Sequence, residues 1–266
     1  MPYVRLADVE LYYEIQGQGQ PLLMIRGLGS NADHWYTQTP AFTPHYRVIT
    51  FDNRGIGRSS NPGGAFGIKD MADDTLGLMD ALGLERPHVF GLSMGGMIAQ
   101  ELAINHPERV RGLVLACTHP GGDHQVQHGQ EVRELFTEMV YVASPEAKLK
   151  ASPTLFDPAN LAERPELAAE YAKVSLKHPA GAEILSKQWE AVLGHDTYER
   201  LGRIKAQTLV LTGDKDVLIP PGNSEILAER IPGAQLVVAP GGGHQILVER
   251  AEACNRVVLE FLSRVE

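Results

Sequence analysis

Pro87-His88-Val89-Phe90-Gly91-Leu92-Ser93-Met94-Gly95-Gly96-Met97-Ile98-Ala99-Gln100-Glu101-Leu102 is the stretch that decides the fold. It opens with an apolar, strand-like run (His88, Val89, Phe90) and closes with a helix-like one (Met97 to Leu102). Between them stands Gly-x-Ser-x-Gly. The pentapeptide alone is weak; a strand before it and a helix after it are what give it meaning. A serine at such a turn sits on a strained backbone with its hydroxyl raised above a sheet. Its neighbours two residues away leave no room for a Cβ, which accounts for Gly91 and Gly95. The helix that follows points its free N–H groups and positive dipole end at the same spot, where they favour developing negative charge. The plain alternative is a serine in an ordinary β–α turn.

Working outward, the chain alternates strand and helix. Pro2–Leu6 and Glu10–Gln16 are rich in β-branched and aromatic residues and predict a hairpin. Short apolar runs at Pro21–Ile25, Tyr46–Phe51, Pro87–Leu92, Arg111–Cys117, Gln207–Thr212 and Gln235–Ala239 predict buried parallel strands. Helices are predicted at Ile68–Leu82, Met94–Asn105, Asn223–Arg230 and Arg250–Arg264, the crossovers that parallel strands need. That is an α/β doubly wound sheet.

One segment breaks the alternation. From 118 to 203 only helical periodicity is visible, with stripes at Val132, Leu135, Phe136 and Met139 and at Ile184, Leu185, Trp189, Val192 and Leu193. Prolines at 145, 153, 158, 165 and 179 cut it into short helices. Inserted between two core strands, such a block lies beyond the strand ends where ligands of open α/β sheets bind. The expected organisation is a core of residues 1–117 and 204–266 with a helical lid, or cap, at 118–203. A purely structural elaboration is the competing reading.

Composition sets the outer limits. The 266 residues are 43% hydrophobic and 21% charged, which excludes a disordered or membrane-spanning chain. A net charge of −9 would repel phosphate backbones, so nucleic acid is not an expected partner. Cys117 and Cys254 form no disulfide framework and read as reduced, buried thiols. No signal peptide and no long apolar run stand out, so a cytoplasmic protein with no membrane partner is expected.

A serine hydroxyl needs a base. His244, in Gly241-Gly-Gly-His-Gln245 just after a predicted strand, is the best placed; the other nine histidines read as surface or packing residues. A carboxylate must then orient the imidazole. Thr208 to Pro220 offers Asp214 and Asp216 at a strand end, and Asp216, deeper in the turn, is preferred over Asp214, which suits a turn-forming role. The chain order is Ser93, Asp216, His244.

That order, the Ser93 turn and the loop Asp52-Asn-Arg-Gly55-Ile-Gly57-Arg-Ser59 together resemble the α/β-hydrolase fold family over nearly the whole chain. Within it, the chain is similar to 3-oxoadipate enol-lactonase-like hydrolases, to small carboxylesterases and to meta-cleavage-product hydrolases. The resemblance implies a mostly parallel central sheet flanked by helices, with a helical lid insertion. It gives the Asp52 loop a structural role. It implies an oxyanion hole from the N–H of Met94, after the nucleophile, and from the N–H of Leu28, in Arg26-Gly27-Leu28-Gly29.

Arg26 stands where the family usually has histidine. Either it packs outward and pairs with a carboxylate such as Asp52, the plainer expectation, or it helps hold an acidic substrate. Trp35 could line the pocket or pack in the core. The expected activity is hydrolysis of a small ester or lactone through an acyl-enzyme. No cofactor is called for, and no metal, since no His or Cys cluster has ligand spacing. A meta-cleavage type C–C hydrolase, a perhydrolase or an acyltransferase would use the same triad. A ligand-binding protein on a hydrolase scaffold is the rival of another class.

Overall fold

Residues 2–265 are described by a computed structural model. The strands are β1 (Tyr3–Arg5), β2 (Glu10–Gln16), β3 (Pro21–Ile25), β4 (Arg47–Phe51), β5 (His88–Leu92), β6 (Gly112–Ala116), β7 (Gln207–Gly213) and β8 (Gln235–Ala239). They form one sheet in the order β1-β2-β4-β3-β5-β6-β7-β8. The hairpin β1–β2 and the β2–β4 pair are antiparallel; every later pairing is parallel. The observed strands and the four expected helices agree with the sequence reading to within a residue or two.

Helices cover both faces. Beside β3 and β4 stand α1 (Thr39–Phe42) and α2 (Ile68–Ala81), and α3 (Met94–Asn105) follows β5. Six helices come next: α4 (Gln130–Val142), α5 (Pro145–Lys150), α6 (Ser152–Leu155), α7 (Pro158–Glu163), α8 (Glu166–Lys177) and α9 (Ala182–Leu193). The chain ends with α10 (Gly222–Arg230), α11 (Ile246–Glu249) and α12 (Ala251–Leu262).

The runs of β3 to β7 read as continuously apolar because both faces are buried; β8, expected as a buried strand, is instead an edge strand with Ala239 its one buried residue. Side chains alternate across a strand, so neighbours enter different cores. Leu23 and Ile25 of β3, Val89 of β5 and Leu113 and Leu115 of β6 join one cluster with α2, α3 and Leu227 of α10. Leu22, Met24, Phe90, Leu92, Val114 and Ala116 join the other, with Phe42 of α1 and Val258 and Phe261 of α12.

Between β6 and β7 the described residues include no strand of the sheet. Here proline starts helices as well as ending them. Pro145 opens α5 behind Ser144, whose hydroxyl accepts the N–H of Ala147 at 3.1 Å. Pro158 opens α7 behind an Asp157 cap in the same way. Facing stripes join α4 to α9, with the rings of Phe136 and Trp189 5.3 Å apart. The stripe expected on α9 ends one residue early: Leu193 is 58% exposed, because the helix stops there and Gly194 turns the chain away.

Candidate active site

All the site segments leave the same edge of the sheet, because β3, β5, β7 and β8 are parallel and each ends there. Ser93 joins β5 to α3 at φ 57° and ψ −124°, a strained conformation for a residue with a side chain. Its own N–H is held by the carbonyl of Ala116 at 2.9 Å. A Cβ on Gly91 would run into the backbone of Gly95, and one on Gly95 into the carbonyl oxygen of Ile25. The turn is therefore closed to any other residue at both positions.

Asp216 follows β7 and His244 follows β8. His244 Nδ1 lies 2.8 Å from Asp216 Oδ2, and both side chains are buried. A carboxylate only accepts, so Nδ1 carries a proton, and in the neutral imidazole Nε2 is the nitrogen with the lone pair. The other oxygen of Asp216 accepts the N–H groups of Leu218 and Ile219 at 3.0 and 2.8 Å. Asp214 makes no bond to the imidazole. It is exposed and accepts the N–H of Gly241 at 2.6 Å, closing the turn. The thiol of Cys117 stands beside the pair: its sulfur, a carboxylate oxygen of Asp216 and a ring nitrogen of His244 lie within 4.8 Å of one another. Among the described residues this is the one trio of such donors, and two of its members are bonded to each other. Burial, then the charge of Asp216, pushes the Cys117 thiol well above its usual range, which keeps it protonated.

The loop after β3 packs directly on the serine: a Cβ on Gly27 would lie 3.0 Å from Ser93 Cβ and 3.4 Å from its Oγ. Met94 opens α3, where an N–H has no intrahelical acceptor. Leu28 N–H finds no acceptor among the described residues, whereas Gly29 N–H is taken by Oε1 of Gln188, on α9, at 2.8 Å. Asp52 braces the segment behind, accepting the N–H of Ala32 at 2.7 Å and of Arg58 at 2.8 Å.

Ser93 and His244 open onto a common cavity of about 460 Å³, roofed by the inserted helices. Met139, Leu155, Phe156, Ala172 and Leu185 give it mostly apolar walls. A recess of about 60 Å³ shares Ser93 and Phe136 with the large cavity and is lined also by Met94 and His119. His119 reads as a surface or packing residue in the sequence, yet it faces this recess. Its Nδ1 accepts the N–H of Gly121 at 3.0 Å, and burial pushes its pKa down to about 3, so it is neutral.

Two expectations need correction. Arg26 does not pack outward or pair with Asp52. It is 1% exposed and lines the large cavity, while Asp52 is taken by Arg58, with Nε 2.8 Å from Oδ2. The Asp52 loop turns its carboxylate toward its own arginine, leaving Arg26 at the strand end. Trp35 is not a pocket residue. It is fully buried in the core against Phe90, with ring centroids 5.1 Å apart, and its indole lies under the Arg26 guanidinium at 4.9 Å.

Glu249, Gln245, Tyr171 and Gln188 were not legible as site residues. Gln245 is adjacent to His244, the one local signal available; the others are brought in from α8, α9 and α11 by tertiary packing alone.

With this geometry the chain belongs to the α/β-hydrolase fold family, whose sequence model matches residues 20–251. It is a hydrolase, as its relatives are. It is 34% identical over 267 residues to a protein of Azorhizobium caulinodans named putative carbamate hydrolase RutD, covering all of both chains. Its structure is similar to an enol-lactonase from Burkholderia xenovorans, at 28% identity and a TM-score of 0.86, covering 99% of this chain and 100% of that one. It is also similar to a thermophilic esterase from Thermogutta terrifontis, at 29% identity and a TM-score of 0.85, covering 96% and 94%. Among the described residues no helix is long and apolar enough to cross a membrane.

Proposed function

We propose that the protein is a serine hydrolase of small carboxylic esters or lactones, with Ser93 as nucleophile, His244 as general base and acid, and Asp216 as the orienting carboxylate. The observation that carries this is the 2.8 Å bond between His244 and Asp216 at the edge of the cavity onto which Ser93 opens from its strained turn. His244 Nε2 takes the hydroxyl proton as Ser93 Oγ attacks the carbonyl carbon. The tetrahedral oxyanion receives the N–H groups of Leu28 and Met94, each worth about 3–4 kcal/mol by comparison with donors removed elsewhere. His244 then hands its proton to the leaving alkoxide, and the acyl group stays on Ser93. Water gives a proton to His244 as it attacks the ester, and Ser93 regains that proton as the acid leaves. Asp216 remains ionised and stabilises the imidazolium.

The enol-lactonase and the esterase among the similar structures support this choice of bond. A carbamate carbonyl could be attacked in the same way, and the name of the Azorhizobium relative favours testing it. The deciding experiment is a turnover panel of p-nitrophenyl acetate and butyrate, enol-lactones, aryl carbamates and ring-fission dienoates. A fluorophosphonate probe is used alongside. Turnover of esters or lactones with labelling at Ser93 is expected. Turnover of dienoates alone would reassign the reaction to C–C cleavage, and a folded chain that does not label would remove catalysis at Ser93.

A further inference from the structure

His119 is a strand-end residue that the proposed chemistry leaves unused. It follows β6, which runs between the strands that lead to Ser93 and Asp216. Its backbone is clasped from behind: the Gln100 amide donates to the His119 carbonyl at 3.2 Å, and the Thr197 hydroxyl donates to Gln100 Oε1 at 2.7 Å. The N–H of Thr197 goes to the carbonyl of Pro120 at 2.8 Å. The N–H of Gly121 donates into Nδ1 of His119 at 3.0 Å, so that nitrogen holds the lone pair. In a neutral imidazole the proton is then on Nε2. Nε2–H has no acceptor among the described residues, and the ring, 7% exposed, borders the recess beside Ser93. Burial keeps the ring neutral, and the charges that act on it, those of His195, His128 and His244, push the same way.

The recess suits an uncharged group. No Asp, Glu, Lys or Arg lines it, and Met97, Phe136, Trp189 and Leu218 make its walls apolar. Beyond Ser93 and His119, Asn223 is spent on Val126, accepting its N–H at 2.8 Å and donating to its carbonyl at 2.9 Å. Gln125, Gln127 and His128 are half-buried or exposed and stand at the outer mouth. A buried donor with no acceptor is unfavourable, and an oxygen placed against it recovers the loss. At about 10–15 Å³ for each water-sized group, the recess of about 60 Å³ has room for about four non-hydrogen atoms. His244 must reach the leaving oxygen, and it lines the large cavity but not the recess. The group lodged in the recess is therefore the one that stays on Ser93, the acyl chain.

We propose that His119 is a specificity-determining residue whose Nε2–H donates to a neutral oxygen on the acyl chain, so that the preferred substrates are esters of short acids carrying an ether, hydroxyl or keto oxygen. This rests on the serine-hydrolase reading above and narrows it on one side of the scissile bond. The leaving alcohol extends into the large cavity, on the side of His244.

The test uses p-nitrophenyl esters in two pairs that exchange one methylene for an ether oxygen: methoxyacetate against butyrate, and 3-methoxypropanoate against pentanoate. Each ratio of kcat/KM is divided by the ratio of the hydroxide-catalysed rates, which removes the inductive effect of the oxygen. In at least one pair wild type is expected to favour the ether by about three- to tenfold, the worth of one neutral hydrogen bond. His119→Asn keeps an acceptor for the Gly121 N–H but places no donor where Nε2 stands, so the preference should vanish. His119→Gln puts an amide N–H near that point and should restore part of it. Equal corrected turnover in both pairs by wild type, or an undiminished preference in His119→Asn, overturns the proposal. If His119→Asn does not fold, nitrogen–proton correlation spectra of the wild-type histidine ring decide together with the wild-type ratios: a neutral Nε2–H tautomer with an ether preference upholds the donor, and the Nδ1–H tautomer removes it. Ser93 labelling by the fluorophosphonate separates the two readings. With Ser93 labelled and no ether preference, the acyl subsite alone fails; with no labelling and no turnover, the hydrolase reading fails and the subsite with it.

Discussion

The carboxylate of Glu249 accepts the backbone N–H of Gly243, the residue before His244, at 2.8 Å. Its other oxygen accepts the N–H of Asp157 and the side-chain amide of Asn160, both at 2.8 Å. Asn160 also donates to the carbonyl of Gly241 at 2.7 Å, and the N–H of Gln245 goes to the carbonyl of Leu155, again at 2.8 Å. The loop that carries the histidine is thus pinned to the inserted helices through one buried acid. Burial pushes the pKa of Glu249 up, against the pull of its donors.

Glu249→Ala leaves the N–H groups of Gly243 and Asp157 without their acceptor and takes one of two acceptors from the Asn160 amide, at about 1–3 kcal/mol for each buried donor left unpaired. Thermal melts should show a large fall in Tm. Loosening Gly243 also displaces His244, so kcat on an ester should fall while KM changes little. A variant that melts early yet keeps wild-type kcat would show that the pin serves the fold and not the histidine.

Ser93→Ala should remove turnover to about a millionth of wild type and abolish probe labelling. Asp216→Asn should cost about ten-thousandfold, because an amide no longer fixes the imidazole tautomer or stabilises its cation. Asp214→Asn touches an exposed turn bond to Gly241 and an exposed ion pair with Lys215 at 3.9 Å, so its effect should stay within about tenfold. Steady-state kinetics on one p-nitrophenyl ester ranks all three; a reversed order for the two aspartates would transfer the orienting role to Asp214.

How much of this was readable in advance follows from where the determinants lie. The Ser93 turn was legible because its constraints are local: two glycines forced by backbone crowding, flanked by a strand and a helix of clear periodicity. His244 and Asp216 were legible as strand-end residues, since parallel topology collects strand ends on one edge. Arg26 was misjudged because its partner choice depends on Arg58, which reaches Asp52 first. Trp35 was ambiguous because an aromatic ring next to a site gives no sign of which face of the sheet it enters. Glu249 and Gln188 carry no sequence signal, because the donor to Gln188 lies 159 positions away and two of the three donors to Glu249 lie 89 and 92 positions away, at a short helix whose docking is purely tertiary.

Gly95→Ala should prevent accumulation of folded protein. The added Cβ meets the backbone carbonyl of Ile25, and neither β3 nor the start of α3 has room to yield, since both are buried at this point. Overpacking of this kind costs about 1–3 kcal/mol when side chains can move, and more when the obstacle is backbone. Circular dichroism of the purified variant checks it; a native-like spectrum and Tm would mean that the elbow has slack the packing does not suggest.

Acid should unfold the protein through its buried histidines. Burial pushes His34, His119 and His195 down to about 3. In the unfolded chain a histidine titrates near about 6.5. Between about 6.5 and 3 the unfolded state binds a proton at each position that the folded state refuses. Stability is therefore full above about 6.5 and falls as the pH drops through that window, by up to about 1.4 kcal/mol per pH unit for each group. His195 isolates the effect, since neither of its ring nitrogens has a partner among the described residues and it takes no part in the proposed chemistry. In His195→Gln, the stability lost between pH 7 and pH 5 in urea titrations should be smaller than in wild type by about 2 kcal/mol. Parallel losses would mean that His195 gains its proton without unfolding, through a local opening of the segment that joins α9 to β7.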